Sequence, residues 1–371
     1  MKKICFAMNY LYKQRLGGAE VQAWLLAKQL AKSGHQVTYI AENLNNSSKK
    51  IETIEGVEIH WIPKRYYFDI LNHNIYSKTL KQISPDIIVH RYTSLYTGII
   101  GNYAKLHNIP FIWICTDDGI PFKNYFRQRQ QAIFQRSSKN VVTKLITQSY
   151  SFIRDTYKNY GMKYVTHPCV QNQDQYELLL NNFGLKGNFI HSGHEKPKSS
   201  HRADPPIILW VGNLGPRKRP EIFIKLAKQC SKLNLRFRMI GTHPDKARLD
   251  KLFSENLTNL EWKGALPLEE TLTVFDQASI LVSTSTYEGF PNTFVQAWLR
   301  GIPVISFGIN PNEVVTKHNL GKIVDSIPEA QQAIIQYISN DTSTERQTIK
   351  QYAQQHHSIE SVEKRFWEIL S

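Results

Sequence analysis

Several features that mark particular protein classes are missing from this sequence. The four cysteines lie far apart and match neither the spacing of a zinc site nor that of a redox pair. No apolar stretch approaches the ~18 residues that a transmembrane helix needs. The N-terminal segment has no small-residue cleavage site after its short apolar run, so it predicts a first strand and not a signal peptide. We therefore expect a protein of the reducing cytoplasm, with its cysteines in the core.

Acidic residues are scarce in the first half of the chain. Residues 1–190 have 24 lysines and arginines against 12 acidic residues, whereas residues 191–371 have 22 against 19, and the net charge is +15. A one-sided positive field favours an anionic partner such as a nucleic acid, a membrane surface or a phosphorylated substrate. A solvated surface without a partner is the alternative. Nucleic acid is not expected, because no recognised module that interleaves aromatic and basic residues is found.

The same order of strands and helices occurs in two successive halves. KICFAMNY predicts a first strand, and the amphipathic helix that follows it is expected to end at Gly34. IILWVGN predicts a strand again from residue 207, before a helix with Pro220 in its first turn. Strands that alternate with helices in this way predict parallel sheets covered on both faces, and hence two α/β domains.

Composition marks the boundary between the halves. The segment 191–206 is rich in proline, serine and charge and has no apolar period, which is typical of a linker. The domains are therefore predicted at residues 1–195 and 206–355. A final helix is predicted at residues 356–371, with Ser358 as its N-cap and an apolar stripe that indicates docking on another element. Residues 122–168 are predicted to be mainly helical and basic.

Ligands of open α/β sheets bind at the carboxyl ends of the strands, and three loops fall there. The first contains Gly17 and Gly18 but lacks the Gly-x-Gly-x-x-Gly fingerprint, so it predicts either close approach to a ligand or a tight turn. The second places Arg217, Lys218 and Arg219 at the start of a helix, which suits a diphosphate. A solvated charge cluster is the alternative for this second loop.

The third loop, YEGFPN, is the most informative. It follows the strand ASILVSTST and precedes the helix NTFVQAWLR. Asn292 is the predicted N-cap, so we expect the N–H groups near Thr293 and Phe294 to be unpaired and to point outward. A carboxylate at Glu288, beside such an anion site, suits a ligand that offers both hydroxyls and phosphates, as a sugar diphosphate does. A surface carboxylate is the alternative for Glu288.

Three motifs and the C-terminal helix together resemble a known family. The motifs are GGAEVQAWLLAKQLAKSGHQVTYI, VGNLGPRKRPEIFIKLA and STSTYEGFPNTFVQAWLRGIPVIS, and they extend in order over nearly the whole chain. In them the chain resembles the retaining glycosyltransferases of the two-domain GT-B fold, the glycosyl transferases group 1. The resemblance implies two Rossmann-like domains facing across a cleft, with the C-terminal helix crossing back to the first. It also implies that the first domain binds an acceptor and the second a nucleotide sugar.

The resemblance also implies a set of site residues. Lys218, which fits the family's lysine position better than Arg217, would contact the diphosphate, and Glu288 would meet sugar hydroxyls. The catalytic residues expected are Glu288, Lys218 and Asp117. No metal ligand is expected, and the donor-binding residues expected are Gly18, Asn213, Arg217, Lys218, Glu288, Gly289, Phe290, Pro291, Asn292, Thr293 and Gln296.

The chain departs from the family at three positions. Gln296 stands where a second glutamate commonly faces the ribose, and because glutamine keeps an acceptor oxygen, ribose binding is expected to persist. Asn213 stands where arginine is common, which leaves more of the diphosphate charge to the basic pair of the second loop. Thr116 or Asp117 occupies the neighbourhood of the family's first-domain histidine. His90 is a weaker substitute and is expected to be structural.

The function implied is retaining transfer of a hexosyl group from a UDP- or GDP-linked donor to a glycan or lipid-linked saccharide, in bacterial surface polysaccharide synthesis. In the family the acceptor attacks the face that the diphosphate leaves, so no protein nucleophile is needed. The chain has no Asp-x-Asp sequence, so Arg217, Lys218 and a helix N-terminus are expected to neutralise the leaving group without metal, and no cofactor is expected. A GT-B sugar-nucleotide epimerase and a non-catalytic nucleotide-sugar binder are the alternatives.

The basic stretch from Lys123 to Lys163 is interleaved with aromatic residues. Because many relatives use lipid-linked acceptors, we expect peripheral attachment of the first domain to the inner face of the cytoplasmic membrane. The basic residues expected to matter for this are Arg127, Arg129, Arg136 and Lys139. The interleaved aromatic residues are Phe122, Tyr125, Phe126, Phe134, Phe152, Tyr157 and Tyr160. The alternative is that these aromatics are core residues and the charges are merely solvated.

Overall fold

The chain folds into two compact α/β units in a computed structural model. The structure describes residues 1–15, 17–44, 49–64, 69–117, 119–135, 140–197, 201–243 and 245–371. The first unit comprises Met1–His191 and Val362–Ser371, and the second comprises Ser192–Ser361. Each contains a largely or wholly parallel sheet, so the α/β fold class predicted from the sequence is confirmed.

The first unit contains a sheet with strand order β3-β4-β2-β1-β5-β6-β7-β8, in which only β3 is antiparallel to its neighbour among the strands described. The strands are β1 (Lys3–Ala7), β2 (Gln36–Asn43), β3 (Ile51–Ile54), β4 (Val57–Pro63), β5 (Ile87–His90), β6 (Phe111–Ile114), β7 (His167–Val170) and β8 (Asn188–Phe189). The helices are α1 (Gly18–Lys32), α2 (His73–Ile83), α3 (Tyr96–His107), α4 (Tyr125–Phe134), α5 (Val141–Met162) and α6 (Gln173–Phe183).

The second unit contains a parallel sheet with strand order β11-β10-β9-β12-β13-β14. The strands are β9 (Ile207–Val211), β10 (Arg236–Ile240), β11 (Leu260–Trp262), β12 (Ala278–Ser283), β13 (Val304–Ser306) and β14 (Gly321–Ile323). The helices of this part of the chain are α7 (Pro220–Gln229), α8 (Lys246–Leu252), α9 (Leu268–Gln277), α10 (Asn292–Trp298), α11 (Val314–Lys317), α12 (Ile327–Ser339), α13 (Ser343–His357) and α14 (Ile359–Leu370).

The second sheet is apolar on both faces because helices cover both. Successive side chains of β9 enter different cores: Ile207 and Leu209 lie in one apolar cluster, whereas Ile208 and Trp210 lie in another. This alternation explains why the strand is a continuous apolar run without polar interruptions, as expected for a parallel strand. The two cores hold the carboxyl ends of β9 and β12 side by side.

The segment 191–206, predicted as a linker, is attached to the second unit at several of its described residues. The His194 N–H donates to the His357 carbonyl at 3.0 Å, and the His194 carbonyl accepts from the Ile359 N–H at 3.0 Å. The Ala203 N–H donates to the Gln277 carbonyl at 3.1 Å. Polar composition indicated a solvated chain, but these backbone hydrogen bonds are satisfied by partners far away in sequence.

The helix α14 begins as its sequence predicts. The Ser361 N–H donates to the Ser358 hydroxyl at 3.3 Å, and the apolar residues Ile359, Val362 and Phe366 are buried. Most of α14 belongs to the first unit, where it contacts α1 and the loop after it. The Gln29 amide donates to the Glu363 carboxylate at 2.7 Å, and the rings of His35 and Trp367 lie 4.7 Å apart.

All four cysteines are buried, as predicted. Burial raises the pKa of the Cys5 and Cys169 thiols to about 12, so both remain protonated and behave as small apolar side chains. Across the described ranges, no helix combines the length and the apolar character that crossing a membrane requires.

Candidate functional site

The candidate site is built by two loops at the carboxyl edge of the second sheet. Residues 212–219 connect β9 to α7, and residues 284–291 connect β12 to α10. Because β9 and β12 are neighbouring parallel strands, with Leu209 opposite Leu281, the two loops leave the sheet at the same edge. The sequence separation of the loops is about 70 residues, but the sheet places them in contact.

Backbone contacts hold the two loops together. The Thr286 N–H donates to the Arg217 carbonyl at 2.9 Å. The Thr284 hydroxyl donates to the Lys218 carbonyl at 2.5 Å and accepts from the Trp210 indole N–H at 2.9 Å. The single turn of 3-10 helix at Pro216–Lys218 is thus fixed from below by a buried indole and hydroxyl.

Arg219 connects the same loops through its side chain. Its guanidinium donates to the carbonyls of Thr284 at 2.6 Å, Ser285 at 3.3 Å and Phe307 at 2.8 Å. Its backbone is left-handed, with φ 45° and ψ 55°, immediately before Pro220 begins α7. The Nε and Nη2 donors of Arg219 thus face carbonyls of the protein, so this member of the predicted basic cluster also holds the loops together.

Lys218 and Glu288 form an ion pair between their Nζ and Oε1 atoms. The side chains are 19% and 15% exposed, so the pair is mostly shielded but still reaches solvent. The two residues were expected to contact different parts of one ligand, and the structure places them directly against each other. Arg217 adds a further positive charge, with its guanidinium 5.2 Å from the centre of the Tyr287 ring.

Buried aromatic residues anchor the stretch that follows Glu288. The Phe290 ring lies 5.1 Å from the His357 ring and 6.3 Å from Trp298, and Pro291 is also buried. Gly289, Asn292 and Thr293 remain partly exposed. Phe290 and Pro291 thus present no more than their backbone to a ligand, while their side chains fix the loop.

The predicted start of α10 needs two corrections. The N-cap is Pro291, with an extended ψ of 119°, and Asn292 is the first helical residue, so Asn292 is not the cap. The Phe294 N–H donates to the Pro291 carbonyl at 3.0 Å and is therefore paired. The first turn of α10 is thus closed by the Pro291 carbonyl, without a side-chain cap.

Gln296 and Asn213, two positions where the chain departs from the family, lie in different surroundings. Gln296 is 5% exposed, and its backbone carbonyl accepts from Arg300 Nη1 at 3.1 Å. Asn213 is exposed at the tip of the first loop. Beneath this loop Gly241 has φ 138°, and a Cβ there would lie 1.7 Å from the Gly212 carbonyl oxygen, so only glycine fits.

Gly18 and Asp117 belong to the first unit, whereas the other predicted site residues belong to the second. Gly18 is the first residue of α1, after Gly17 at its N-cap. Asp117 follows β6, and its Oδ1 accepts from the Gly119 N–H at 3.0 Å, which closes a local turn. These contacts position both residues at the carboxyl edge of the first sheet.

His90 has the structural role expected of it. It is fully buried; its Nδ1 lies 2.5 Å from the Ala7 carbonyl and its Nε2 lies 3.0 Å from the Thr97 hydroxyl. The Ser94 N–H donates to that hydroxyl, which leaves its proton for Nε2. Burial lowers the His90 pKa to about 4, so the neutral ring, protonated at Nδ1, satisfies every contact.

Three further residues at these edges were not predicted from the sequence. Thr284 and Trp210 fix the Lys218 turn, and no local signal could have identified them, because their partners lie far away in sequence. Glu20 is buried, and its carboxylate folds back toward Gly17, where an added Cβ would lie 2.3 Å from Oε2. Burial raises the Glu20 pKa. A glutamate three residues after the N-cap is one half of the capping-box pattern, and Gly17 has no side chain to supply the other half.

Within the ranges that the structure describes, no group of three or more histidine, cysteine, aspartate or glutamate side chains is placed to hold a metal ion. The charged groups of the candidate site are Arg217, Lys218 and Glu288.

Two family models match successive parts of the chain. Residues 16–170 match Glycosyltransferase Family 4, and residues 192–356 match Glycosyl transferases group 1. The second match contains both loops of the candidate site. The two matches together cover most of the chain.

Individual proteins with related sequences or folds were also found. The chain is 24% identical over 316 residues to EpsF, a candidate glycosyltransferase of Bacillus subtilis (strain 168), covering 80% of this chain and 78% of that one. It is 24% identical over 259 residues to the UDP-Gal:alpha-D-GlcNAc-diphosphoundecaprenol alpha-1,3-galactosyltransferase of Escherichia coli, covering 65% and 62%. The crystal structure of Anabaena HepE in complex with UDP-glucose superposes with a TM-score of 0.71, at 14% identity and with 100% and 99% coverage.

The likeness to HepE concerns the fold, since the identity is low, and it extends over the full length of both chains. The two family models independently describe glycosyltransferases. Together, two glycosyltransferase family models match successive parts of this chain, and its architecture is that of the GT-B glycosyltransferases.

Proposed function

We propose that the protein transfers a hexosyl group from a UDP-linked sugar, with retention of anomeric configuration and without a divalent metal. The acceptor proposed is a glycan or a lipid-linked saccharide of bacterial surface polysaccharide synthesis. The observation that carries the proposal is the Lys218–Glu288 pair between two loops of the second sheet. A GDP-linked sugar is the second choice, because HepE and the E. coli relative both have uridine nucleotides in their descriptions.

The pair offers both kinds of contact that a sugar diphosphate needs. Breaking the bond between sugar and phosphate increases negative charge on the diphosphate, and Lys218 with Arg217 would stabilise that charge. The carboxylate of Glu288 would accept hydrogen bonds from sugar hydroxyls. Because the pair is only partly exposed, its groups act in a weaker screening environment than at an open surface.

Donor binding would exchange one partner of Lys218 for another. The ion pair keeps the ammonium and the carboxylate preorganised, so that neither has to be ordered when the ligand arrives. A ligand bearing both a phosphate and hydroxyls would satisfy the ammonium and the carboxylate at once. A free phosphate would satisfy only the ammonium, which favours the complete nucleotide sugar over inorganic phosphate.

The acceptor hydroxyl would attack the face of the sugar that the diphosphate leaves, and a phosphate oxygen would take its proton. The positive charge around the diphosphate lowers the barrier by stabilising the leaving group, each preorganised contact contributing roughly 2–4 kcal/mol in the transition state. Asp117, which a turn after β6 holds in the first unit, is proposed to take part in the transfer reaction. Gly18, Asn213 and Gln296 are proposed donor contacts, as are the backbone amides from Gly289 to Thr293.

The anomeric outcome and the metal requirement are tested in one assay. The purified protein is incubated with a UDP-sugar and an oligosaccharide acceptor, and the new linkage is assigned by NMR. We expect the product to have the anomeric configuration of the donor, with the rate unchanged by EDTA. An inverted product would refute retention, and a rate that disappears with EDTA and returns with Mg²⁺ would refute metal independence.

A thermal-shift panel of nucleotide sugars identifies the donor. A ligand that binds only the folded protein raises its melting temperature through mass action, so the correct donor should give the largest shift. The Lys218→Ala variant should show a smaller shift with that donor. A matched control is Lys232→Ala, an exposed lysine beyond the end of α7, which should respond like the unchanged protein. No shift with any nucleotide sugar would contradict the proposal.

A sugar-nucleotide epimerase of the same fold is the alternative function. It would convert or hydrolyse the donor without an acceptor, whereas a transferase should release nucleotide at a rate that depends on the acceptor. A binder without activity would show the thermal shift and no turnover with any acceptor. Nucleotide release, measured with and without acceptor, separates the three.

A further inference from the structure

The long helix α5 of the first unit buries charged residues and exposes apolar ones. Asp155 and Lys158 are each 1% exposed, whereas Leu145 and Ile146 are 60% and 54% exposed. A charged group is rarely buried unless it is bonded, because its removal from water costs free energy. The partners of the two buried charges therefore show which part of the protein this side of α5 holds.

Asp155 attaches α5 to the start of α4. Its carboxylate accepts from the Phe126 N–H at 2.9 Å, from the Arg127 N–H at 3.2 Å and from Arg127 Nε at 3.1 Å. Arg127, predicted from the sequence to contact a membrane, is thus paired within the protein. Arg136 and Lys139, for which the same prediction was made, lie outside the described residues.

Lys158 and Asn159 hold the segment just before α4. The Lys158 ammonium donates to the Phe122 carbonyl, and the Asn159 amide donates to the Lys123 carbonyl at 3.0 Å. Because the ammonium is charged, its hydrogen bond to a carbonyl is stronger than a bond between neutral groups. The three residues that hold this region are named here the α5 clamp: Asp155, Lys158 and Asn159.

Successive turns connect the clamped segment to Asp117. The Oδ1 atom and the backbone carbonyl of Asp117 accept from the N–H groups of Gly119 and Ile120, each at 3.0 Å. The Phe122 N–H then donates to the Gly119 carbonyl at 3.3 Å. Ile120 is anchored in the apolar core of the first unit. The carbonyl that Lys158 binds is therefore linked to Asp117 through a continuous series of hydrogen bonds.

The Lys158 ammonium lies in surroundings that disfavour its charge. Burial lowers the pKa of Lys158 to about 8, while Asp155 opposes this shift and Arg127 adds to it. The Phe183 ring of α6 lies 5.6 Å from the ammonium. A neutral donor at this position would avoid the cost of burying a charge, so we expect the charge to serve function at the expense of stability.

Two further titratable groups come from the helices that pack against α5. The Tyr125 ring of α4 lies 6.0 Å from the Lys158 ammonium, and burial raises the Tyr125 pKa, so the phenol is neutral near pH 8. Lys105 of α3 donates to the Tyr164 phenol at 3.1 Å. The proton of Lys158 is thus the one expected to be lost from the α5 clamp near pH 8.

We propose that Lys158 is a positioning residue for the transfer reaction, whose charged ammonium fixes the loop after β6 and thereby holds Asp117 in place. The inference rests on the proposed function, in which Asp117 takes part in the reaction. Asp155 and Asn159 keep α4 attached when the charge is lost, so its loss should loosen the loop without unfolding the unit. Loss of the charge should slow turnover and also relieve the cost of burial.

The first measurement is hydrogen–deuterium exchange of the protein without substrate at pH 7. Lys158→Gln keeps a neutral donor and removes the charge, so residues 119–124 should exchange at least ~5-fold faster, and the second unit should not change. Lys163→Gln, which removes an exposed charge at the end of the same helix, is the matched control and should behave as the unchanged protein does. Unchanged exchange in Lys158→Gln would overturn the proposal.

The second measurement is turnover with a UDP-sugar and an oligosaccharide acceptor between pH 7 and 10. Turnover of the unchanged protein should fall above pH 8, as Lys158 loses its proton. Lys158→Gln should be at least ~5-fold slower at pH 7 and should lack this fall, since glutamine has no proton to lose. Lys163→Gln should follow the unchanged protein at every pH.

Stability separates a positioning role from a structural one. As the pH rises from 8 toward 10.5, the folded protein loses the Lys158 proton before the unfolded chain does. The free energy of unfolding, measured by urea denaturation, should therefore rise relative to that of Lys158→Gln over the range in which turnover falls. A turnover that instead declines in step with stability would show that Lys158 is structural only.

Two further results would overturn the proposal: normal turnover in Lys158→Gln, and an equal fall above pH 8 in both proteins. If no nucleotide sugar supports turnover, the proposed function fails. The exchange experiment still decides in that case whether Lys158 holds the loop, because it needs no substrate.

Discussion

Lys218 and Glu288 are the residues on which the proposed chemistry depends most. Lys218→Ala and Glu288→Ala should each lower turnover by at least ~100-fold, the effect of losing one preorganised contact. Gln296→Ala should mainly raise the KM for the donor, because a ribose contact would be formed equally in the ground and transition states. Steady-state kinetics with varied donor measure both effects. Near-normal turnover of a folded Glu288→Ala protein would show that Glu288 does not contact the sugar.

Arg219 should act as a positioning residue for the Lys218 turn. Arg219→Gly keeps the left-handed backbone and removes its strain, but it removes all three hydrogen bonds to the second loop. We expect turnover at saturating donor to fall about 10-fold, which corresponds to an increase of about 1.4 kcal/mol in the activation free energy. The melting temperature should be nearly unchanged.

The matched control for Arg219 is Asn319→Gly. Asn319 also has a left-handed backbone, with φ 52°, but it precedes β14 at the opposite edge of the sheet. Its replacement should relieve the same strain and leave turnover unchanged. Arg219→Lys should not rescue activity, since an ammonium lacks the planar fork that reaches several carbonyls. Full activity in Arg219→Gly would mean that the loops keep their places without this side chain.

His90 should make the protein less stable in acid. Its pKa is about 4 when folded, below the ordinary 6.5, so the unfolded chain takes up the proton first as pH falls. The free energy of unfolding should therefore decrease between pH 6.5 and 4, by up to about 3 kcal/mol from this residue. His90→Gln cannot be protonated, and urea denaturation across this range should show a flatter pH dependence. Parallel curves for the two proteins would rule out this contribution.

At the scale of elements, α3 and α5 pack with their backbones in contact. A Cβ on Gly161 would lie 2.1 Å from the Thr97 carbonyl oxygen, and one on Gly101 would lie 2.6 Å from the Gly161 Cα. In an exposed helix, replacing glycine by alanine stabilises by about 1 kcal/mol. Here the replacement should destabilise the protein instead, because α3 would have to move. Overpacking of this kind costs about 1–3 kcal/mol.

Gly161→Ala should therefore lower the free energy of unfolding, as measured by urea denaturation. Ser149→Ala, on the exposed side of the same helix, serves as the control and should change stability by only a few tenths of a kcal/mol. If Gly161→Ala proved more stable than the unchanged protein, the two helices would not be in backbone contact.

At the scale of the whole molecule, the C-terminal residues of the chain pack in the same unit as its N-terminal half. Residues Val362–Ser371 belong to the first unit although the second unit precedes them in the sequence. Phe366 is buried there, and truncating a buried phenylalanine typically costs about 3–5 kcal/mol. Phe366→Ala should therefore increase hydrogen–deuterium exchange in α1 and in the other elements of the first unit.

The second unit should exchange at an unchanged rate in the same variant, and Glu368→Ala, a half-exposed neighbour, should alter neither unit. Increased exchange confined to the second unit would contradict the assignment of α14. Exchange is the suitable measurement because it reports local stability for each unit separately, whereas a single melting temperature does not.

Much of this fold followed from local pattern alone. The strand VEIHWIP is β4 at Val57–Pro63, Pro220 opens α7, and Ser358 caps α14, because hydrophobic period, proline geometry and capping act over a few residues. The two loops of the candidate site were found for a related reason: a strand followed by a polar, glycine-containing segment and a helix places that segment at the carboxyl edge of a sheet.

Two features of the protein could not be predicted from local sequence pattern and depend on the tertiary structure. The sequence determined that Lys218 and Glu288 lie in edge loops, but only the pairing of β9 with β12 brought them into contact and placed the Arg219 side chain against the second loop. The sequence likewise determined that α5 has two unlike faces. Buried contacts of Asp155 and Lys158 with α4 decided that the apolar face is the outer one. A helical period defines faces but does not say which one meets solvent, because that depends on partners distant in the chain.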